Sequence, residues 1–194
     1  MVNRRILITS GSIWVAIDSV RIISNRSSGQ LGRILTKQLI KKGAKVHILE
    51  GPIEFDDFLK KFKNELKKKY DVVIHAAAVS DYKLKGPFKA KVSSNLKELK
   101  LKLVPTPKII NLIKKIHPQV FLVGFKLEQD INEKSAGEKT RPLFEKASCD
   151  LVVANSARGK KYQAYILDQE HLLAQASSRE ELAGKLIKIL DQKI

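Results

Sequence analysis

The stretch "DVVIHAAAVSDY", Asp71–Tyr82, decides the fold class. From Val72 to Val79 it is apolar but for His75. A strand with one wet face alternates polar and apolar residues, whereas an unbroken apolar run is covered on both faces. Such strands lie in parallel sheets between two layers of helices. The polar "SDY" that follows would stand just past the strand's carboxyl end, where open α/β sheets bind their ligands.

The pattern repeats on either side. Arg5–Ser10 and "AKVHIL" (44–49) read as buried strands. Between them, "SSGQLGRILTKQLIKKG" (27–43) places Leu31, Ile34, Leu35 and Leu39 on one helix face. Ser27 or Ser28 is its expected cap and Gly43 its stop. Phe55–Lys69 reads as a basic amphipathic helix. Thr106 is expected to cap a further helix, with Pro107 first and Ile109, Leu112, Ile113 and Ile116 inward. "KELKLKLV" (97–104) alternates strictly, as a half-buried antiparallel strand with Leu99, Leu101 and Leu103 inward would. "QVFLVGF" and "DLVVAN" are two more core strands around a helix at Asn132–Ala147, expected to break near Pro142. "YQAYIL" and "HLLAQA" form a terminal hairpin. Ser178 and Glu181 make a capping box for the last helix. The expected fold is therefore α/β, a doubly wound, mostly parallel sheet in one domain over 1–194, with a short flap at about 82–104 and a C-terminal β-hairpin.

A chain of 194 residues, 43% hydrophobic, can bury its core without staples. The lone Cys149 fits a reducing compartment and offers no metal cluster. "MVNRRILITS" lacks the apolar core of a signal peptide, and no segment nears the ~20 apolar residues of a membrane span. The expectation is a soluble, cytoplasmic protein. The net charge of +17 invites nucleic acid. Yet the lysines are scattered through "KKGAK", "KKFKNELKKKY", "KLKGPFKAK", "LKKIH" and "RGKKY", without the aromatic–basic interleaving of RNA binders. A non-catalytic basic module remains the alternative of another class. Dedicated nucleic-acid binding is therefore disfavoured, and attraction for phosphorylated small molecules stays open.

Chemistry should gather at the strand ends "TSGS", "AAAVSDY", "GFK" and "VVANS". Ser27, Ser28 and Gly29 open a helix, where free N–H groups and the dipole favour an anion, although an ordinary serine cap looks the same. Arg21 could fork onto a carboxylate or phosphate. Asn25 offers a donor and an acceptor. The lysines of "KLKGPFKAK" (83–91) are either solvated padding or a clamp for something strongly anionic. A nicotinamide reductase is disfavoured because GxGxxG and Tyr-x-x-x-Lys are missing. His47, His75, His117 and His171 have no ligand spacing and read as structural.

The motifs "SGSxxxAIDSVRxISNxSSGxLG" (10–32), "HAAAVSDY", "KVSS", "TPKII", "VGFKLE" and "DLVVAN", in that order, resemble the phosphopantothenoylcysteine synthetase family over essentially the whole chain. The likeness is strongest to bacterial stand-alone members, within the wider DNA/pantothenate metabolism flavoprotein C-terminal family. It implies a Rossmann-like homodimer of coenzyme A synthesis. The carboxylate of 4′-phosphopantothenate would attack the α-phosphate of CTP with Mg²⁺ assisting. L-cysteine would then displace CMP from the acyl-cytidylate. An ATP-using version is the alternative. The resemblance assigns Asn25 to the intermediate, and Arg21, Ser27, Ser28 and Gly29 to the phosphopantothenate side. To the nucleotide it assigns Ala76, Ala77, Ala78, Asp81, Thr106, Pro107, Lys108, Ile109, Phe125 and Lys146. A second basic position falls near Lys139 or Arg141. Lys91 would be the flap lysine reaching the triphosphate, with Lys89 as substitute, while Lys83 and Lys85 revert to padding. The metal ligands stay unassigned. Departures are Ile13-Trp14-Val15 after the first strand, the short "LEGPIEFDD" connection and the short Asp81–Lys91 segment.

Overall fold

A computed structural model describes residues 1–156 and 162–194, so 158–161 of the "RGKKY" cluster lie outside the described residues. In chain order the strands are β1 Arg5–Ser10, β2 Ser12–Ala16, β3 Ile22–Ile23, β4 Lys45–Glu50, β5 Ile53–Glu54, β6 Val72–His75, β7 Ala78–Val79, β8 Tyr82–Leu84, β9 Leu103–Pro105, β10 Phe121–Glu128, β11 Leu151–Ser156, β12 Ala164–Leu167 and β13 Leu172–Ala176. The helices are α1 Gln30–Lys41, α2 Phe55–Leu66, α3 Ile110–Ile116, α4 Glu133–Ala147 and α5 Arg179–Lys193.

The central sheet runs β13-β12-β11-β10-β6-β1-β4. β4, β1, β6, β10 and β11 are parallel, and the terminal hairpin β12–β13 adds antiparallel to β11. This is the expected Rossmann-like α/β fold. Alternate residues of each strand serve opposite faces. Ile6 and Ile8 pack with Leu35 and Leu39 of α1 and with Leu182, Leu186 and Leu190 of α5. Leu7, Val73, Leu122 and Val152 pack with Phe55, Phe58 and Phe62 of α2 and Ile113 of α3. Both faces are therefore covered, as the apolar run at Val72–Val79 requires.

Several local expectations differ from the structure. Ile13-Trp14-Val15 belongs to β2, the centre of a small sheet with β3, β5 and β7. The cap residue of α1 is Gly29 at φ 71°, and Ser28 stands one position before it, its hydroxyl accepting the Gln30 N–H at 3.4 Å. Thr106 caps no helix; its hydroxyl donates to the Ser80 carbonyl at 2.6 Å, and α3 begins only at Ile110. α4 runs through Pro142 unbroken. Of "KELKLKLV" only Leu103 and Val104 enter a strand, pairing antiparallel with β8, and Leu99 and Leu103 are exposed. A strand's alternation has value only against an apolar surface, and here 97–102 stays exposed except for a half-buried Leu101. Ser178 accepts from the Glu181 N–H, but the Glu181 carboxylate reaches back to Ser177, which completes the box one residue early.

Candidate functional site

The parallel strands end on one side in a cleft of about 1200 Å³. Its floor is the segment just past the carboxyl end of β6, Ala76–Val79, which includes β7. The backbone there is fixed by N–H bonds from Ala76 to the Thr9 carbonyl and from Ala78 to the Gly11 carbonyl, at 2.9 and 2.8 Å. One wall is the start of α1. Gly32 lets the helix lie directly on β1, since a Cβ there would meet Ser10 Cβ at 2.4 Å. The Ser10 hydroxyl donates to the Gly29 carbonyl at 3.1 Å, which seats the first turn over the cleft. The opposite wall is the Thr106–Asn111 turn together with Phe125 and the Leu143–Lys146 face of α4.

The structure brings most predicted residues together. Asn25, Ser27, Ser28, Gly29, Ala76, Ala77 and Ala78 line the cleft, as do Asp81, Thr106, Pro107, Lys108, Ile109, Phe125 and Lys146. Asn25 donates from Nδ2 to the Val79 carbonyl at 2.8 Å, so its side-chain oxygen remains as an acceptor. Lys108 Nζ bridges Asp81 Oδ1 at 2.5 Å, both side chains being largely exposed. Lys139 lines the cleft and Arg141 does not, so Lys139 is the second basic residue of α4 that can reach a ligand there. It stands 3.9 Å from Glu128, which also pairs with Lys126 at 3.0 Å.

Arg21 and Lys91 are absent from the lining. Arg21 bridges Asp18 at 2.8 Å and donates to the Val92 carbonyl at 3.1 Å. Lys91 lies in the irregular, exposed segment that follows β8. Burial opposes ionisation of Asp18, but N–H bonds from Val20, Val92 and Arg21 and the Arg21 charge outweigh it, and its pKa falls to about 2. His75 also reaches the lining and holds Thr9 Oγ1 at 2.7 Å through Nδ1. Burial pushes its pKa down to about 4, so the ring is neutral at pH 7.

Arg26, Lys126 and Arg179 complete the wall and were missed from the sequence. Lys126 carried a signal in "GFK", and Arg26 sits inside the "ISNRSSG" motif. Arg179 carried none; it stacks on Tyr162 with its guanidinium 5.0 Å from the ring centre. Among the described residues, six cations thus face one carboxylate, Asp81. No group of three or more metal-ligating side chains exists among the described residues. Mg²⁺ is ordinarily carried by substrate phosphates plus one or two carboxylates, and Asp81 fits that use.

A strongly cationic cleft on a parallel sheet, entered by the ordered strand-end motifs, coincides with one family description. Residues 1–193 match the family model described as DNA/pantothenate metabolism flavoprotein C-terminal domain. The chain belongs to this family. The coenzyme A biosynthesis bifunctional protein CoaBC of Thermococcus kodakarensis is 40% identical over 170 residues, covering 80% of this chain and 42% of that protein. CoaBC of Borreliella burgdorferi is 31% identical over 208 residues, 97% of this chain and 52% of that one. The chain spans about half the length of the curated relatives it matches. The DNA/pantothenate metabolism flavoprotein crystal structure from Streptococcus pneumoniae superposes with a TM-score of 0.86 at 30% identity, covering 98% of this chain and all of that one. This family domain carries its cationic cleft at the sheet's carboxyl edge.

Proposed function

We propose that this domain is a phosphopantothenate–cysteine ligase of coenzyme A biosynthesis that uses CTP and works as a homodimer. The observation that carries the reading is the convergence of Asn25, the α1 start, Ala76–Asp81, Thr106–Ile109 and Lys146 on one cleft where, among the described residues, six cations meet a single carboxylate. Its relatives named for coenzyme A biosynthesis support the pathway.

The chemistry needs this arrangement. A carboxylate and a triphosphate repel each other until cations surround both, so positioning and charge stabilisation supply most of the rate. The substrate carboxylate oxygen bonds to the α-phosphorus while the bond to the bridging oxygen breaks and pyrophosphate departs. Lys139 and Lys146 on α4 and Lys108 on the turn stand where that charge develops. Asn25, held by Val79, presents its oxygen to the acyl-nucleotide. The cysteine amine then attacks the acyl carbon, the C–O bond to phosphate breaks, CMP leaves and the amine loses a proton. Mg²⁺, carried by the phosphates beside Asp81, would shield charge in the first step. Lys91, reaching in with its long side chain from the flap, would neutralise the triphosphate and keep water from the anhydride. No side chain need act as nucleophile.

The test supplies Mg²⁺, 4′-phosphopantothenate and cysteine with CTP or ATP in parallel. CMP and pyrophosphate released in equal amounts, dependent on both acceptors and faster than AMP release, are expected. Folded protein that releases neither nucleotide monophosphate overturns the reading, and faster AMP release assigns ATP instead.

A further inference from the structure

Residues 86–101 leave the body of the protein as a loop closed at its base by Lys85 N–H on the Lys102 carbonyl at 3.0 Å. Nearly all of it is exposed. It returns to the body at two points. Phe88 N–H donates to the Ile17 carbonyl at 2.9 Å. Val92 is held from both sides: its N–H donates to Asp18 Oδ2 at 3.0 Å, and its carbonyl accepts from Arg21 Nη1 at 3.1 Å.

The grip itself is built. The Asp18 carboxylate is fully buried beneath an Arg21 only about a third exposed. Its other oxygen accepts the N–H groups of Val20 and Arg21 at 2.8 and 2.7 Å. Arg21 Nη1 closes the ring on Oδ2 at 2.8 Å. Bonds to ionised partners are roughly twice as strong as neutral ones, so Val92 is the firmest tether in the loop. Between the two tethers stand only Lys89, Ala90 and Lys91.

We propose that Asp18 and Arg21 are positioning residues that pin the Phe88–Val92 segment and so set where Lys91 stands relative to the cleft. Arg21 then acts on the reaction through the flap backbone. The pair also divides the loop into a fixed arm, 88–92, and a loose arm, 93–101. The consequence for turnover rests on the ligase reading, but the tether itself does not.

The first measurement is hydrogen exchange over residues 86–94 in the parent and in Asp18→Asn. Losing the charged acceptor should speed exchange there at least about tenfold, with β1 and β6 unchanged. Unchanged exchange at 86–94 overturns the proposal. Should Asp18→Asn loosen β1 and β6 as well, Arg21→Lys serves instead. The lysine ammonium ends a bond short of the Nη1 position from which arginine serves both partners, so it stays beside Asp18 but falls short of the Val92 carbonyl, and faster exchange at 86–94 alone is expected. The second measurement is a double-mutant cycle on kcat/KM for the nucleotide. If Asp18 acts through Lys91, Asp18→Asn should lower the value about tenfold alone but no more than about twofold in Lys91→Ala. Losses that multiply overturn the positioning role. A parent with no turnover would overturn the ligase reading while the exchange result still judges the tether.

Discussion

Gly32→Ala tests whether α1 really rests on β1 at the cleft. A Cβ at Gly32 would stand 2.2 Å from Ser10 Oγ and 2.4 Å from Ser10 Cβ. Rotating the hydroxyl away cannot relieve the second contact, because Ser10 Cβ is fixed to the strand. The helix must lift. Overpacking of this kind costs about 1–3 kcal/mol, and displacing the Ser10 hydroxyl from the Gly29 carbonyl removes about 1 kcal/mol more. A destabilisation of about 2–4 kcal/mol lowers Tm by about 5–15 °C in a chain of this length. Thermal melts followed by circular dichroism read the shift. In a Ser10→Gly background the obstacle is gone, and Gly32→Ala should then cost less than about 1 kcal/mol. A Gly32→Ala protein melting with its parent, or an equal cost in both backgrounds, would refute the close approach.

Buried His75 makes stability depend on pH. Its folded pKa of about 4 lies below its ordinary 6.5, so the unfolded chain takes up the proton first as pH falls. Stability should drop through that window by about 3 kcal/mol, and urea midpoints should show a flatter dependence for His75→Gln; parallel curves would count against it. Asn25→Ala should let the acyl-nucleotide escape, raising pyrophosphate formed per ligated product, whereas Lys91→Ala should slow pyrophosphate release itself. Equal, trivial effects of both in a rapid-quench assay would discard these roles. Lys139→Ala should raise the nucleotide KM by about tenfold, well above the rise for Arg141→Ala; the reverse order in steady-state assays would place the wrong residue at the cleft.

The main sheet was legible because its signals are local and redundant. Val72–Val79, Arg5–Ser10 and the Leu35/Leu39 spacing each point to the same two-faced architecture. The small sheet was not, since β2 pairs with Ile53 and Val79, far along the chain. The Leu99–Leu103 alternation misled because periodicity describes what a strand would bury, not whether a surface lies beneath it. For Thr106, the nearby Ser80 carbonyl outcompetes a helix end. Cleft residues emerged from motifs at strand ends, where the fold itself dictates convergence. Arg21 could not be placed that way. Its partner Val92 lies 71 positions distant, and spacing alone cannot reveal such a bond.

The imbalance of Arg26, Lys108, Lys126, Lys139, Lys146 and Arg179 against Asp81 bears on how this protein should be screened. Like charges crowded around one cleft strain the folded state, and any polyanion that relieves them raises the melting temperature by mass action. Pyrophosphate, citrate or sulfate would therefore register in a thermal-shift screen much as a nucleotide does. Phosphate buffers carried from purification would compete with substrate and flatten apparent affinities. A discriminating screen must hold total anion constant and vary only the base, so that the readout reports recognition and not neutralisation.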